Sequence, residues 1–228
     1  MKIEKLAPDP GFDAEAIEDF ERLLDQPSEK QLRPCLNCDI PCPCRGSTSC
    51  ACACAVGCPH VPRMLSTDPE AHPIEGAIVP LVYALGALRV VRPCWSCEGH
   101  NGADGKLYRP PGVWFYARSV FYPWLISEYL ADLDNSKTIE NPWHLCLVFF
   151  DPNNSDPTFV IEPDLGSIKK PELWSLQRDV RVIAEGLDPG VRGRARNALV
   201  RIKNRSASPP CRPGGGGMKI RAGLASVS

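Results

Sequence analysis

Eight cysteines fall between Cys35 and Cys58 in the run C-L-N-C-D-I-P-C-P-C-R-G-S-T-S-C-A-C-A-C-A-V-G-C, with His60 two residues beyond. The spacers are small or polar, so this stretch cannot build an apolar core of its own. Thiolate–metal bonds are the interaction best able to order it. Cys50, Cys52 and Cys54 are separated by single residues, a spacing that makes an unstrained disulfide within the triplet difficult. Two thiolates of a C-x-C can, by contrast, turn toward one ion.

A short internal repeat sharpens the expectation. R-P-C-L-N-C-D at 33–39 and R-P-C-W-S-C-E at 92–98 share the form R-P-C-x-x-C-[D/E]. Two C-x-x-C turns supply the four thiolates of a tetrahedral zinc site, which makes Cys35, Cys38, Cys94 and Cys97 the first ligand set. Cys42, Cys44, Cys50, Cys52, Cys54 and Cys58 then remain for a two-metal cluster or a further site. Zinc is favoured, with an iron–sulfur cluster as the competing occupant because four thiolates also serve it. Arg33, Arg45, Arg63 and Arg92 flank these groups and would offset the negative charge of a zinc–tetrathiolate. The order C-x-x-C-x-x-x-C-x-C at 35–44 resembles the C-x-x-C-x-x-x-C-C signature of a bacterial family of zinc- or iron-chelating proteins, with Pro43 inserted in the adjacent pair.

Histidines and carboxylates raise the question of catalysis. His100 follows Cys97 by three residues in a Gly-rich stretch, with Glu98 and Asp104 close in sequence, while His144 and Cys146 share one face of an alternating segment. If the 98–112 stretch packs against that segment, His100, His144 and Glu98 meet in one cleft. H-P-I-E-G-A followed by P-C-W-S-C is similar to the zinc-dependent nucleoside and base deaminases. That resemblance implies His72, Cys94 and Cys97 as ligands and Glu75 as proton shuttle, although Glu75 stands three residues after His72 and the family places it two after. S-C-E-G-H-N-G-A-D with the P-W-H strand is similar to zinc D-Ala-D-Ala peptidases, which implies His100 and His144 as ligands and Asp104 as the third. The candidate catalytic residues are therefore Glu75, Glu98, His100 and His144.

The charge balance points elsewhere as well. From Val191 to Ser228 there are nine Lys or Arg and no Asp or Glu, so a net charge of −1 leaves about −10 on the rest of the chain. An acidic front and a basic tail either associate with each other or offer residues 191–221 to an anionic partner such as nucleic acid. No apolar run reaches the roughly 18 residues a membrane span needs. Residues 1–30 carry nine acidic side chains and no apolar stretch behind a basic start, unlike a signal peptide. The expected location is the cytoplasm, where dense thiols serve metals more often than disulfides.

These residues must be held by a modest frame. The chain reads as α+β, a small mixed or antiparallel sheet with flanking helices, preceded by a Cys-rich metal-binding loop module. Residues 1–30 carry an acidic amphipathic helix (9–25), 31–65 the Cys-rich module, and 66–187 the α+β core with the second C-x-x-C. A basic helix occupies 188–205 and a disordered tail 206–228. Within the core the pattern predicts an all-apolar helix over 73–88, kinked or interrupted at Pro80, and strands over 88–92, 113–117, 143–150 and 158–162. It also predicts a loop over 98–112, a helix over 123–133, and two further helices from 171 to Gly186 and over 191–203. The resulting expectation is a cytosolic metal-binding protein with mainly structural zinc sites, possible roles in metal handling included. Its rivals are a zinc hydrolase or deaminase and a nucleic-acid-binding accessory protein.

Overall fold

The computed structural model describes residues 10–26, 74–149 and 156–207. The Cys-rich module with all eight of its cysteines, His60, His72 and the tail from 208 onward lie outside the described residues.

Helix α1, Pro10–Asp25, buries Ala16, Phe20 and Leu23 on the face its spacing predicts. Its acidic face is exposed, where Arg22 pairs with Glu18 and Asp19. Helix α2, Val79–Ala87, buries Leu81, Val82, Ala84, Leu85 and Ala87, in keeping with an apolar surface all round. Pro80 does not kink it. The helix begins there, with Pro80 in the first turn, where a missing N–H costs nothing. Residues 74–78 form the turn that leads in.

Four strands follow in the core: β1 (Val91–Cys97), β4 (Gly112–Ala117), β5 (Trp143–Phe149) and β6 (Thr158–Pro163). They form one antiparallel sheet in the order β1-β4-β6-β5. β1 starts later and ends later than the 88–92 expectation. Leu88 closes α2, Arg89 turns with a positive φ of 59°, and the strand then runs through both cysteines. The 98–112 stretch is not plain loop either: β2 (His100–Asn101) and β3 (Leu107–Arg109) pair as a small hairpin. Helix α3, Phe121–Asn135, starts two residues before Pro123, its first turn held by the Ser119 hydroxyl, which accepts from the Phe121 N–H at 3.2 Å.

The two carboxy-terminal helices are one. Helix α4 runs unbroken from Leu173 to Ala207 with Pro189 inside it. Gly186, expected to end a helix, serves close approach instead. A Cβ there would lie 2.4 Å from the Tyr129 hydroxyl oxygen, and one at Gly190 would lie 2.5 Å from the Tyr129 ring. Tyr129 on α3 therefore seats in a notch made by both glycines and donates to the Ile183 carbonyl at 3.0 Å. An interior proline costs a helix about 3 kcal/mol. Burial of Leu187 and Val191 on either side, with the buried Asp188–Arg192 pair at 2.6 Å, offsets it.

The basic stretch of α4 is largely matched from within the chain. Arg192 donates to the Leu23 and Gln26 carbonyls at 2.7 and 2.9 Å, Lys203 pairs with Glu21 at 3.0 Å and Arg205 with Asp13 at 2.8 Å. Arg194 pairs with Asp132. Acidic α1 and the basic end of α4 thus associate with each other, while Arg196 and Arg201 have no acidic partner among the described residues. No described helix is long and apolar enough to cross a membrane.

The Tyr129 notch makes a double-mutant prediction. Gly186→Ala should lower stability by about 1–3 kcal/mol through overpacking, despite alanine's better helix propensity. Combined with Tyr129→Phe, which removes the clashing oxygen, it should cost clearly less than the two single losses added together. Urea denaturation of the four proteins measures that coupling; strict additivity would contradict the notch.

Candidate metal centre

Three donors of different chemistry converge where β1 ends. The Cys97 sulfur, a Glu75 carboxylate oxygen and a His100 ring nitrogen all lie within 4.8 Å of one another. Donors around a tetrahedral zinc stand roughly 3.3–3.8 Å apart, given bonds of about 2.0–2.3 Å, so a small adjustment would close this set around an ion.

The backbone explains the convergence. Between Cys97 and His100 the chain turns at Gly99, with φ +86°. A Cβ at Gly99 would sit 2.6 Å from Leu173 Cδ1 on α4 and 2.9 Å from Pro111, so only glycine fits. The preceding residue is the lock. The Glu98 N–H donates to Glu75 Oε2 at 2.7 Å, and Glu98 Oε2 in return accepts the Ala77 N–H at 2.8 Å. Gln177 of α4 donates to the Glu98 carbonyl at 3.0 Å. The turn before α2, the end of β1 and α4 are thereby fixed to one another. Glu75 keeps its other oxygen, Oε1, for His100 Nε2 at 2.9 Å.

Electrostatics suit a cation. Cys97 is only 3% exposed. Burial pushes its thiol pKa up; the Gly99 N–H, 3.4 Å from the sulfur, pulls it down, Glu75 pushes it up again and Arg109 opposes. Without a cation the sulfur is kept as a thiol beside a carboxylate. A divalent ion would supply the positive charge that a thiolate next to Glu75 requires.

The other sequence candidates are distributed differently. Cys94 lies on β1 but is exposed, and it is not in the three-donor group. Burial of its sulfur pushes the thiol up, with the Tyr116 hydroxyl and Arg92 opposing. The C-x-x-C is not a compact knuckle turn: it is extended strand paired with β4, with a register shift between Pro93 and Trp95. The β-prone run of β4 captures it as a partner, which overrides the local turn preference. Cys35 and Cys38, expected to share an ion with this pair, lie outside the described residues, as do Cys42, Cys44, Cys50, Cys52, Cys54 and Cys58.

His100, His144 and Glu98 do not form one cleft. β6 is inserted between β4 and β5, so His144 sits on the far edge strand. There it faces Glu162 at 3.6 Å, with Cys146 exposed two residues on. Burial raises the Cys146 thiol pKa, and Glu162 and Asp164 add to the rise. Asp104 turns back on Lys106 in the hairpin and is no third ligand to the two histidines. Glu98 is held by its hydrogen bond from Ala77 rather than free to move protons. The grouping of Glu75 with Cys97 and His100 is what sequence reasoning missed. The C-x-G-H spacing at 97–100 was the signal for half of it, and H-P-I-E-G-A brought Glu75 forward as a proton shuttle beside Cys97 rather than as a donor beside His100.

No protein-family model matches the chain, and neither the curated proteins nor the solved structures contain a significant match. The resemblances to chelating proteins, deaminases and peptidases gain no support from that side, and the functional reading rests on the site itself.

Gly99→Ala tests the local frame. Positive φ and the Leu173 contact together should cost about 2 kcal/mol or more, read as a lower urea midpoint. An unchanged midpoint would contradict the close packing described for Gly99.

Proposed function

We propose that this chain is a zinc-binding protein in which Cys97, His100 and Glu75 hold one ion, and that the ion's role is structural. One observation carries the reading: sulfur, nitrogen and oxygen donors from two separated segments lie within 4.8 Å of one another on a locked backbone. The donor set suits zinc, which accepts thiolate, imidazole and carboxylate in one tetrahedron. The ion would bridge the turn before α2 and the β1–β2 turn, reinforcing the hydrogen bonds that Glu98 makes to Glu75 and Ala77. Cysteines 35–58 would hold additional zinc, with an iron–sulfur cluster the competing occupant, in a reducing, cytoplasmic setting. Cys35 and Cys38 remain proposed partners of the β1 cysteines, and a thiolate from that module is a natural fourth ligand.

A catalytic zinc is the second reading. His100 and Glu75 have side chains 46% and 36% exposed, which leaves room for water in the fourth position of a hydrolase or deaminase site. Nucleic-acid binding through residues 191–221 is less favoured, since α1 neutralises much of that stretch.

The test combines metal content with stability. Protein purified without air should carry about one zinc per chain more than its Cys97→Ser or His100→Ala variant, by elemental analysis. Chelation should lower the thermal midpoint of the wild type and leave the Cys97→Ser midpoint less changed. Equal metal content in wild type and both variants would refute the site. A lost ion without a stability change would favour the catalytic reading over the structural one.

A further inference from the structure

The sheet has two unlike faces. Val91, Val113, Phe115, Ala117, Phe159 and Ile161 point to the helices and the core. On the opposite face the strand register lines up Trp95, Trp114, Val160 and Cys146 in one row across the sheet. The neighbouring row begins with Arg92, Tyr116 and Thr158.

These side chains are already in contact. Trp95 meets Trp114 at a tilt of 60° with ring centroids 5.3 Å apart, and the Arg109 guanidinium from β3 lies over Trp95 at 4.6 Å. Beside them Arg92 lies over the Tyr116 ring at 5.1 Å. Trp95 is 40% exposed. Neither Arg92 nor Arg109 has a carboxylate partner among the described residues, unlike most arginines of α4. Glu162 of β6 is turned to His144.

We infer that this aromatic and guanidinium face of β1, β3 and β4 is a binding platform for a single-stranded nucleic acid. Flat π surfaces stacked with guanidinium planes are what unpaired bases seek, and they bind any base because every base has a π face. Arg92 and Arg109, without a carboxylate partner among the described residues, supply the complement to phosphate. Successive outward residues on β4, Trp114 and Tyr116, stand about 6.8 Å apart, so the Trp95–Trp114 pair and the Arg92–Tyr116 pair follow one another along the strand as two places where a base could join the contact. A protein partner would gain nothing particular from guanidinium-capped rings, whereas splayed bases would. The platform is separate from the basic end of α4 and needs no metal, so it stands independently of the zinc reading.

Fluorescence anisotropy of the full chain with labelled ten-nucleotide oligo(U) and oligo(dT) tests it, in both zinc-supplemented and chelator-treated buffer. Both oligonucleotides are expected to bind the wild type, or one of them; the pair tells which sugar is accepted. Trp95→Ala should weaken binding by about 5- to 160-fold, the loss of one base stack, and Trp95→Phe should restore most of it. Replacing Arg92 and Arg109 by Gln should flatten the dependence on salt, by a log–log slope of about 1.4 for two phosphates. Circular dichroism confirms that each variant keeps its fold. Binding by neither oligonucleotide, or binding untouched by Trp95→Ala, would overturn the inference. So would binding lost on removing residues 208–228 but not on changing the platform.

Discussion

Two glutamate carboxylates join the 75–77 turn to the end of β1, each accepting a backbone N–H from the other segment. Glu98 gives its N–H to Glu75 and takes the N–H of Ala77 with its own carboxylate. Each bond satisfies a backbone or carboxylate group that packing would otherwise strand, and groups left unsatisfied cost about 1–3 kcal/mol each. The exchange sets how the chain enters α2 and where β1 ends. With those ends fixed, Gly99 can turn the chain toward His100, and Cys97 remains buried beside Glu75. The donor cluster is a consequence of that clasp rather than an independent feature.

Around it, α4 acts as the common wall. It meets the clasp through Gln177, the α3–β5 connection through Asp179, and α1 through Arg192. Asp179 is fully buried and accepts from the Glu140 and Asn141 N–H groups and the Asn141 side chain, all at 2.8–2.9 Å. A buried carboxylate is tolerated when its lone pairs are filled in this way. Arg192, also buried, answers Asp188 and ties off the carbonyls at the end of α1. These polar fixtures give a helix of 35 residues, weakened by an internal proline, defined contacts along its length.

Much of the frame was legible in the residues. The strands expected over 143–150 and 158–162 and the amphipathic spacing of α1 depend on local pattern. The strands appear at Trp143–Phe149 and Thr158–Pro163 and the helix at Pro10–Asp25, although the burial of the strands follows their neighbours rather than a simple alternation. Acidic α1 and the basic end of α4 attract each other, one of the two outcomes their charges allowed. Errors arose where tertiary contact decides. Gly186 and Gly190 look like helix breakers, but their missing side chains accommodate Tyr129, 57 residues from Gly186 in sequence. C94-W-S-C97 looks like a knuckle and is drawn into a strand by β4. The donor cluster divided along the same line: Cys97 and His100 share a local turn and were visible as a pair, whereas Glu75 reaches them only through the clasp. His144 and His100 were expected together and are kept apart by strand order, which no local pattern encodes.

The same logic separates the two surfaces that can act. The clasp gathers hard and soft donors at a sheet corner, and the open sheet face displays rings and guanidiniums a short distance away. Anomalous diffraction at the zinc edge, from crystals of zinc-loaded protein, examines the first of these most directly. The account predicts a peak about 2.0–2.3 Å from Cys97 Sγ, a His100 ring nitrogen and a Glu75 oxygen. Zinc found elsewhere in the crystal, with no peak here and His100 still on Glu75, would contradict it.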